Sequence, residues 1–378
     1  MKPLADRAPL TTADPASRAP EYVRSIAPYV PGKPIEELAR EYGLAEDSIV
    51  KLASNENPRG PSPKVRQAIA NAVAGVTRYP DGNGFALKVA LAERYRVAQG
   101  QIVLGNGSND VLELASQALL RPGDHAVYAE HAFAVYPLAT QARGATGIVV
   151  PARALAHDLP AMSKAITPRT RIIFVANPNN PTGTWARSAE VQAFLADVPR
   201  DVVVVLDEAY DEYLEPVQRS RSASWIAEHP NLIVSRTFSK AYGLAGLRVG
   251  FGLMDASLAD LLNRVRQPFN VNSVAQAAAL AALADVDYVA ESAAINRSGL
   301  SHLAQALDAM QVGYVPSHGN FLLIHVGSAA TVYEALLRQG VIVRPVANYG
   351  LPEHLRVTVG LPEENARFLS ALKTALGR

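Results

Sequence analysis

The chain is expected to be an α/β protein, with a large domain built on a mostly parallel central sheet and a smaller α+β domain behind it. Three observations predict this. Apolar runs rich in Val and Ile (QIVLG, HAVYAE, GIVVPA, RIIFVAN, DVVVVLDEAY and NLIVSRTFSK) recur between segments of helical period. These runs are continuous rather than alternating, the pattern of strands that helices cover on both faces. After Phe269 the character changes to a long Ala-rich helical stretch, a few strands and a closing helix.

Taken in order, residues 1–20 are Pro- and Ala-rich, offer little apolar surface to offset ordering entropy, and are expected to form a flexible arm. A short helix over 35–42 and a strand start over 49–53 follow, running into SNENPRGPSP, a long turn of Asn, Pro and Gly. Helices are predicted at 63–74, 84–98, 108–120 and 188–196, with the apolar strands between and after them. No element is assigned between 241 and 269. Beyond it come the Ala-rich helix and the strands NFLLIHV, VIVRPV and LRVTVG. The organisation expected is an arm (1–20), an N-terminal segment (21–60), a large domain (61–270) and a small C-terminal domain (271–378), with the boundary near 270 running through a helix.

At 378 residues, 49% of them hydrophobic, the chain can bury at least one large core. The net charge is +1 and no run of five like charges occurs, so neither nucleic acid nor a membrane surface is expected as partner. A small molecule is. The absence of cysteine excludes disulfides, Cys-ligated zinc and thiol nucleophiles. The N-terminus lacks a signal-peptide apolar stretch and no run of about 18 apolar residues follows, so a cytoplasmic protein is expected. Eight scattered histidines show no ligand spacing, and the signatures G-x-x-x-x-G-K-[ST], H-E-x-x-H and G-x-S-x-G are missing, so no metal site is expected.

The chemistry concentrates where strands end. A single lysine is usually a solvated charge, but Lys240 follows the strand NLIVSR, behind Thr237 and Ser239 and ahead of Arg248, in an apolar, glycine-rich segment. That setting suits a buried amine beside an anion. A pyridoxal-phosphate site needs such a lysine for a Schiff base, an acid for the pyridinium nitrogen and donors for the phosphate. Asp207 and Tyr210 close the strand DVVVVLDEAY, where they could hold the ring nitrogen and the phenolic oxygen. Asn180 in NPNNPTG is a further donor to that oxygen. In LGNGSND a strand ends at Gly105 and a helix starts at Ser108, which makes an anion cradle. Asp110 replaces the third glycine of a dinucleotide loop, against a nicotinamide cofactor. In HAFAVY, Phe133 and Tyr136 offer flat faces for a pyridine ring.

Together these segments resemble the fold-type I pyridoxal-phosphate enzymes, and most closely the histidinol-phosphate aminotransferase family. The resemblance runs along most of the chain, through APYVPGKPIEELAREYG, KLASNENPRGPSP, RYPDG, LGNGSND, HAFAVY, NPNNPTG, LDEAYDEY, TFSKAYGLAGLRVG and LRVTVG in family order. It implies pyridoxal 5'-phosphate carried by Lys240, with Asp207 on the pyridinium, Tyr210 and Asn180 on the phenolic oxygen, and Phe133 on the ring. Ser108, Asn109, Thr237, Ser239 and Arg248 would hold the phosphate. Arg356 would grip the substrate's anionic group, Arg344 would add a positive charge for a phosphate monoester, and Tyr29 and Asn55 would be further substrate-side residues. The resemblance also implies a homodimer with shared active sites, residues 21–60 contributing to its contacts and Tyr79 reaching the partner's site. Many relatives carry two acids in this loop, where Asn109 and Asp110 stand here, and the arm before Tyr22 lies outside the resemblance.

The implied reaction is transamination of L-histidinol phosphate with a 2-oxo acid such as 2-oxoglutarate, in histidine biosynthesis. An aromatic amino acid aminotransferase and a threonine-phosphate decarboxylase are the alternatives. Arg344 separates the first of these from the favoured reading; accumulation of the amino form of the cofactor separates the second.

Overall fold

The structure, a computed structural model, describes residues 14–378. Of the expected flexible arm, the part before residue 14 lies outside the described residues, and Pro15–Arg18 form a 3-10 turn. The predicted helix over 35–42 forms as Ile35–Tyr42, closed by Gly43 in the left-handed region. Strand β1 (Val50–Lys51) follows it.

Seven strands build the main sheet: β2 (Ile102–Gly105), β3 (His125–Ala129), β4 (Thr146–Val150), β5 (Thr170–Ala176), β6 (Val203–Asp207), β7 (Leu232–Thr237) and β8 (Gly250–Met254), in spatial order β2-β8-β7-β6-β5-β3-β4. Strands β4, β3, β5, β6 and β7 pair in parallel, and β8 runs antiparallel to both its neighbours. The continuous apolar runs are explained by burial on two faces. Ile173 and Val175 of β5 join one core cluster with Val204 and Leu206 of β6, while Ile172 and Phe174 join a second with Val203 and Val205.

Strand β8 and the helix Ala256–Val265 after it occupy the stretch to which the sequence assigned no element. The reason is glycine, which weighs against a strand by propensity yet is required here. A Cβ on Gly250 would collide with the backbone of Gly107 and Ser108, and one on Gly252 would crowd Val111 and Met254. The two glycines let the helix Ser108–Leu119 lie directly against the sheet.

A second sheet, β12-β13-β10-β9, is antiparallel and comprises β9 (Gly313–Val315), β10 (Phe321–His325), β12 (Arg344–Pro345) and β13 (His354–Thr358); β11 (Val341–Ile342) pairs in parallel with β1. Its core gathers Leu322, Ile324, Leu355 and Val357 with Leu303, Leu307 and Phe368 from helices. Leu38, Ile49 and Ala53 pack on Leu337 and Ile342, fastening the N-terminal segment to this part of the molecule. Residue 270, expected inside a helix, lies between the helices Ala256–Val265 and Ser273–Ala284. The Ala-rich helix Ser273–Ala284, expected with the small domain, joins the main-sheet core through Ala275, Ala278, Ala279 and Ala282. Its small side chains let one face pack closely on its neighbours, while Leu280 stays exposed on the other. The helix that runs from one core to the other is Val286–Ala309, with Val289 and Ala293 in the first and Leu303 and Leu307 in the second. Among the described residues no helix is long and apolar enough to cross a membrane.

Candidate active site

The carboxyl ends of β2, β5, β6 and β7 open into a cavity of about 210 Å³, closed on its far side by β1, β12 and β13. Tyr29, Asn55, Ser108, Asn109, Phe133, Asn180, Asp207, Tyr210, Thr237, Ser239, Lys240, Arg248, Arg344 and Arg356 all line it. Of the residues singled out in the sequence, Tyr136 does not, and neither does Tyr79. It is 82% exposed and stacks on Phe269, with ring centroids 4.7 Å apart.

Lys240 stands on the turn after β7, its Nζ donating to the carbonyl of Ser54 at 3.0 Å. Burial lowers its pKa to about 8, helped by the positive charges of Arg356 and Arg248 and opposed by Glu56 and Asp207. Asp207 is the last residue of β6. Burial pushes its carboxyl up to about 6, against the pull of hydrogen bonds from Tyr136 and the Ala209 N–H and of the Lys240 charge. One carboxylate oxygen, Oδ2, accepts the Tyr136 hydroxyl at 2.9 Å, while Oδ1 is buried with no partner. An unpartnered carboxylate oxygen in a pocket wall is costly unless a donor comes to meet it.

Tyr136 was expected beside Phe133 as a stacking face, and the structure corrects this. A helix begins at Val135, which turns Tyr136 under the pocket, where its ring stacks on Phe174 at 4.7 Å and its hydroxyl holds Asp207. Phe133 alone of the two lines the cavity.

At the other end, Gly107 (φ 82°) precedes the helix Ser108–Leu119, whose first two residues, Ser108 and Asn109, line the cavity beside Thr237, Ser239 and Arg248. A Cβ on Gly107 would collide with the Arg248 guanidinium, so glycine is what lets that charge close over the helix start. Arg248 donates to Ser239 Oγ at 3.3 Å and to the Ala245 carbonyl at 2.9 Å. The acid of this loop is turned away: Asp110 accepts from the Asn106 N–H at 2.8 Å and from Asn270 at 2.7 Å.

The wall opposite Asp207 is basic. Arg344 and Arg356 are cross-strand partners of β12 and β13, both buried and both lining the cavity. Arg356 donates to Asn180 Oδ1 and to the Ala53 carbonyl, and its buried Nε has no partner. With its Oδ1 so engaged, Asn180 keeps its amide N–H groups for the cavity. Arg344 donates to the Val30 carbonyl at 2.8 Å and lies 5.4 Å from the Tyr29 ring centre. Like charges directly across a strand pair repel, and a bound anion would remove the penalty. Tyr349, from a short turn after β12, also lines the site and was not singled out; its only sequence signal is an aromatic residue in the polar turn VANYG. Among the described residues no group of three or more His, Cys, Asp or Glu is placed to hold a metal ion.

With this geometry described, comparison with known proteins is informative. Residues 47–372 match the family model for aminotransferase class I and II. The chain is 60% identical over 363 residues to histidinol-phosphate aminotransferase 2 of Ralstonia nicotianae, covering 95% of this chain and 97% of that one. It is 59% identical over 358 residues to the histidinol-phosphate aminotransferase of Methylobacillus flagellatus, again covering 95% and 97%. Among solved structures, the histidinol-phosphate aminotransferase of Sinorhizobium meliloti in complex with pyridoxal-5'-phosphate superposes with a TM-score of 0.89 at 28% identity, over 96% of this chain and 98% of that one. A cavity with an amine, a buried acid, an anion cradle and paired arginines, in a chain this close to those enzymes along almost its whole length, identifies it as a class I and II aminotransferase belonging to the histidinol-phosphate aminotransferase family.

Proposed function

We propose that this enzyme transfers the amino group between L-histidinol phosphate and 2-oxoglutarate, yielding imidazole acetol phosphate and glutamate, as a step of histidine biosynthesis. The observation that carries the reading is one cavity with Lys240 and Asp207 on one side and the cross-strand arginines 344 and 356 on the other. It suits a substrate with a reacting amine at one end and an anionic group at the other.

The residues fit pyridoxal phosphate. Asp207 Oδ1 is a buried acceptor in want of a proton donor, as a pyridinium N–H would be. Arg248, which a Cβ on Gly107 would displace, brings a positive charge to the helix start, and Ser108, Asn109, Thr237 and Ser239 line the cavity with it as donors for a phosphate. When bound, the cofactor supplies an electron-poor ring that takes up the electron pair left when the substrate's α-carbon loses its proton. Asp207 would hold the proton at the ring nitrogen, and Tyr210 and Asn180 would donate at the phenolic oxygen. Phe133, which lines the cavity, would pack on the ring face. Lys240 Nζ, as a neutral amine, would take the proton from the substrate α-carbon and return it to the cofactor's C4′ carbon, two bonds away. Arg356 and Arg344 hold the anionic group, with the Tyr29 ring beside Arg344.

The active unit in this reading is a homodimer with shared sites. Tyr79, Phe85 and Phe269 are exposed large apolar side chains, with Val73 and Val76 nearby in sequence. Such a face is covered when two copies meet, and Tyr79 then reaches the partner's cavity.

The direct test is the absorbance spectrum of purified, cofactor-loaded protein before and after L-histidinol phosphate is added without an acceptor. Conversion of the visible band to one near about 330 nm is the expected result. A visible band that L-histidinol phosphate leaves unchanged would overturn the substrate assignment and turn attention to aromatic amino acids and threonine phosphate.

A further inference from the structure

We propose that Asn55 is a positioning residue that orders the Tyr210 hydroxyl so that its proton is delivered into the cavity. This rests on the functional reading above and changes the role of Asn55 from the substrate ligand that family resemblance implied.

Asn55 follows β1 in the turn SNENP, is 1% exposed, and has φ of 55°, in the left-handed region that few non-glycine residues occupy. Each of its polar groups is engaged. The backbone N–H donates to Thr358 Oγ1 at 2.9 Å, and the backbone carbonyl accepts from Asn320 at 3.0 Å. In the side chain, Oδ1 accepts from Thr358 Oγ1 at 3.1 Å and Nδ2 donates to the Tyr210 hydroxyl oxygen at 2.9 Å. Both side-chain atoms are thus committed to Thr358 and Tyr210, and the only donor left is the second amide hydrogen.

Counting protons fixes the direction of this chain. The Thr358 hydroxyl accepts from the Asn55 N–H, and among the described residues its own proton has Asn55 Oδ1 as its acceptor, at 3.1 Å. The amide nitrogen therefore faces Tyr210 and can only donate. The Tyr210 oxygen is an acceptor from Asn55, and its own proton is released toward the cavity that it lines. The reversed amide would aim two donors of one residue at Thr358 Oγ1 and draw the Tyr210 proton back out of the pocket. Burial raises the Tyr210 hydroxyl to about 12, so the proton is there to be delivered. Thr358, the anchor, sits on β13 two residues from Arg356, so the strand that carries a substrate arginine also orders the cofactor's donor.

A hydrogen bond donated to the phenolic oxygen draws negative charge from it and lowers the pH at which the Lys240-linked cofactor loses its proton. The test is a pH titration of the visible absorbance of the cofactor-loaded, full-length protein. Asn55→Asp, which accepts where Asn55 donated, is expected to raise the midpoint by about one pH unit and to lower kcat more than it changes KM. In a Tyr210→Phe background the same substitution is expected to add a clearly smaller shift, the part due to the new carboxylate's charge alone. Asn55→Gly suits the left-handed backbone, adds no charge, and is expected to give a smaller upward shift that disappears with Tyr210→Phe. An unchanged midpoint in both variants, or equal shifts with and without the Tyr210 hydroxyl, would overturn the proposal. Wild-type protein that takes up the cofactor and converts L-histidinol phosphate, with midpoints that ignore Asn55, would sink this inference alone; wild-type protein with no visible band would sink the functional reading.

Discussion

Burial moves the two central ionisable side chains toward each other, Asp207 up to about 6 and Lys240 down to about 8, and each shift has a measurable consequence. The folded pKa of Asp207 exceeds the value of about 3.9 of an unfolded carboxyl, so the native state binds the extra proton between those values. In cofactor-free protein this group therefore withdraws stability as pH rises through that window. Asp207→Asn should stabilise the cofactor-free protein at pH 7 by on the order of 2 kcal/mol and leave it unchanged below about pH 4, while weakening cofactor binding. Urea unfolding at the two pH values checks this, and a gain of equal size at both would point to packing instead. Lys240 titrates the other way. Its neutral form grows as pH climbs through about 8, so cofactor attachment should accelerate over that range, and Lys240→Ala should show neither attachment nor turnover. Tyr136→Phe keeps the stack on Phe174 but leaves Asp207 Oδ2 unpartnered; cofactor affinity measured by spectral titration is expected to fall about tenfold. Arg344→Ala should depress kcat/KM for phosphorylated substrates far more than for aromatic acids, and an equal loss for both would remove Arg344 as a phosphate ligand.

Among the elements, legibility followed how each one is buried. Strands β5, β6 and β7 were plain in the sequence because burial on both faces demands unbroken Ile and Val runs, and their ends carry Asp207 and the Lys240 turn. Strand β8 was not, because its place against the helix Ser108–Leu119 leaves no room for side chains at Gly250 and Gly252. Gly250→Ala forces a methyl into the backbone of Gly107 and Ser108, where nothing can rotate away. It is expected to cost about 3 kcal/mol or more and to abolish cofactor retention, because the displaced backbone is the anion cradle itself. Thermal unfolding with and without added cofactor checks it: a variant that unfolds near the wild-type temperature and keeps its visible band would contradict the close packing of this helix.

For the molecule as a whole, the proposed homodimer makes the mass in solution a prediction. A chain of 40.3 kDa should scatter light as a species of twice that mass, and Phe269→Glu, which puts a charge into the Tyr79 stack, should shift it toward the single chain and lower activity with it. The sequence by itself determined the α/β class and nine of the residues that meet in one cavity, because strand ends, turn glycines and a Schiff-base lysine are local patterns that survive in linear order; Tyr29, Asn55, Asn109, Arg344 and Arg356 were legible only through the family resemblance. Tertiary structure decided what depends on residues far apart in the chain. Tyr136 became the partner of Asp207 across 71 positions, Asn55 met Tyr210 across 155 and Thr358 across 303, and Arg344 came to face Arg356 across a strand pair. The Ala-rich helix after residue 270 joined the large core rather than the small one. A side chain's type is written in the sequence, but the direction of its hydrogen bond is set by whichever distant group reaches it once the two cores have packed.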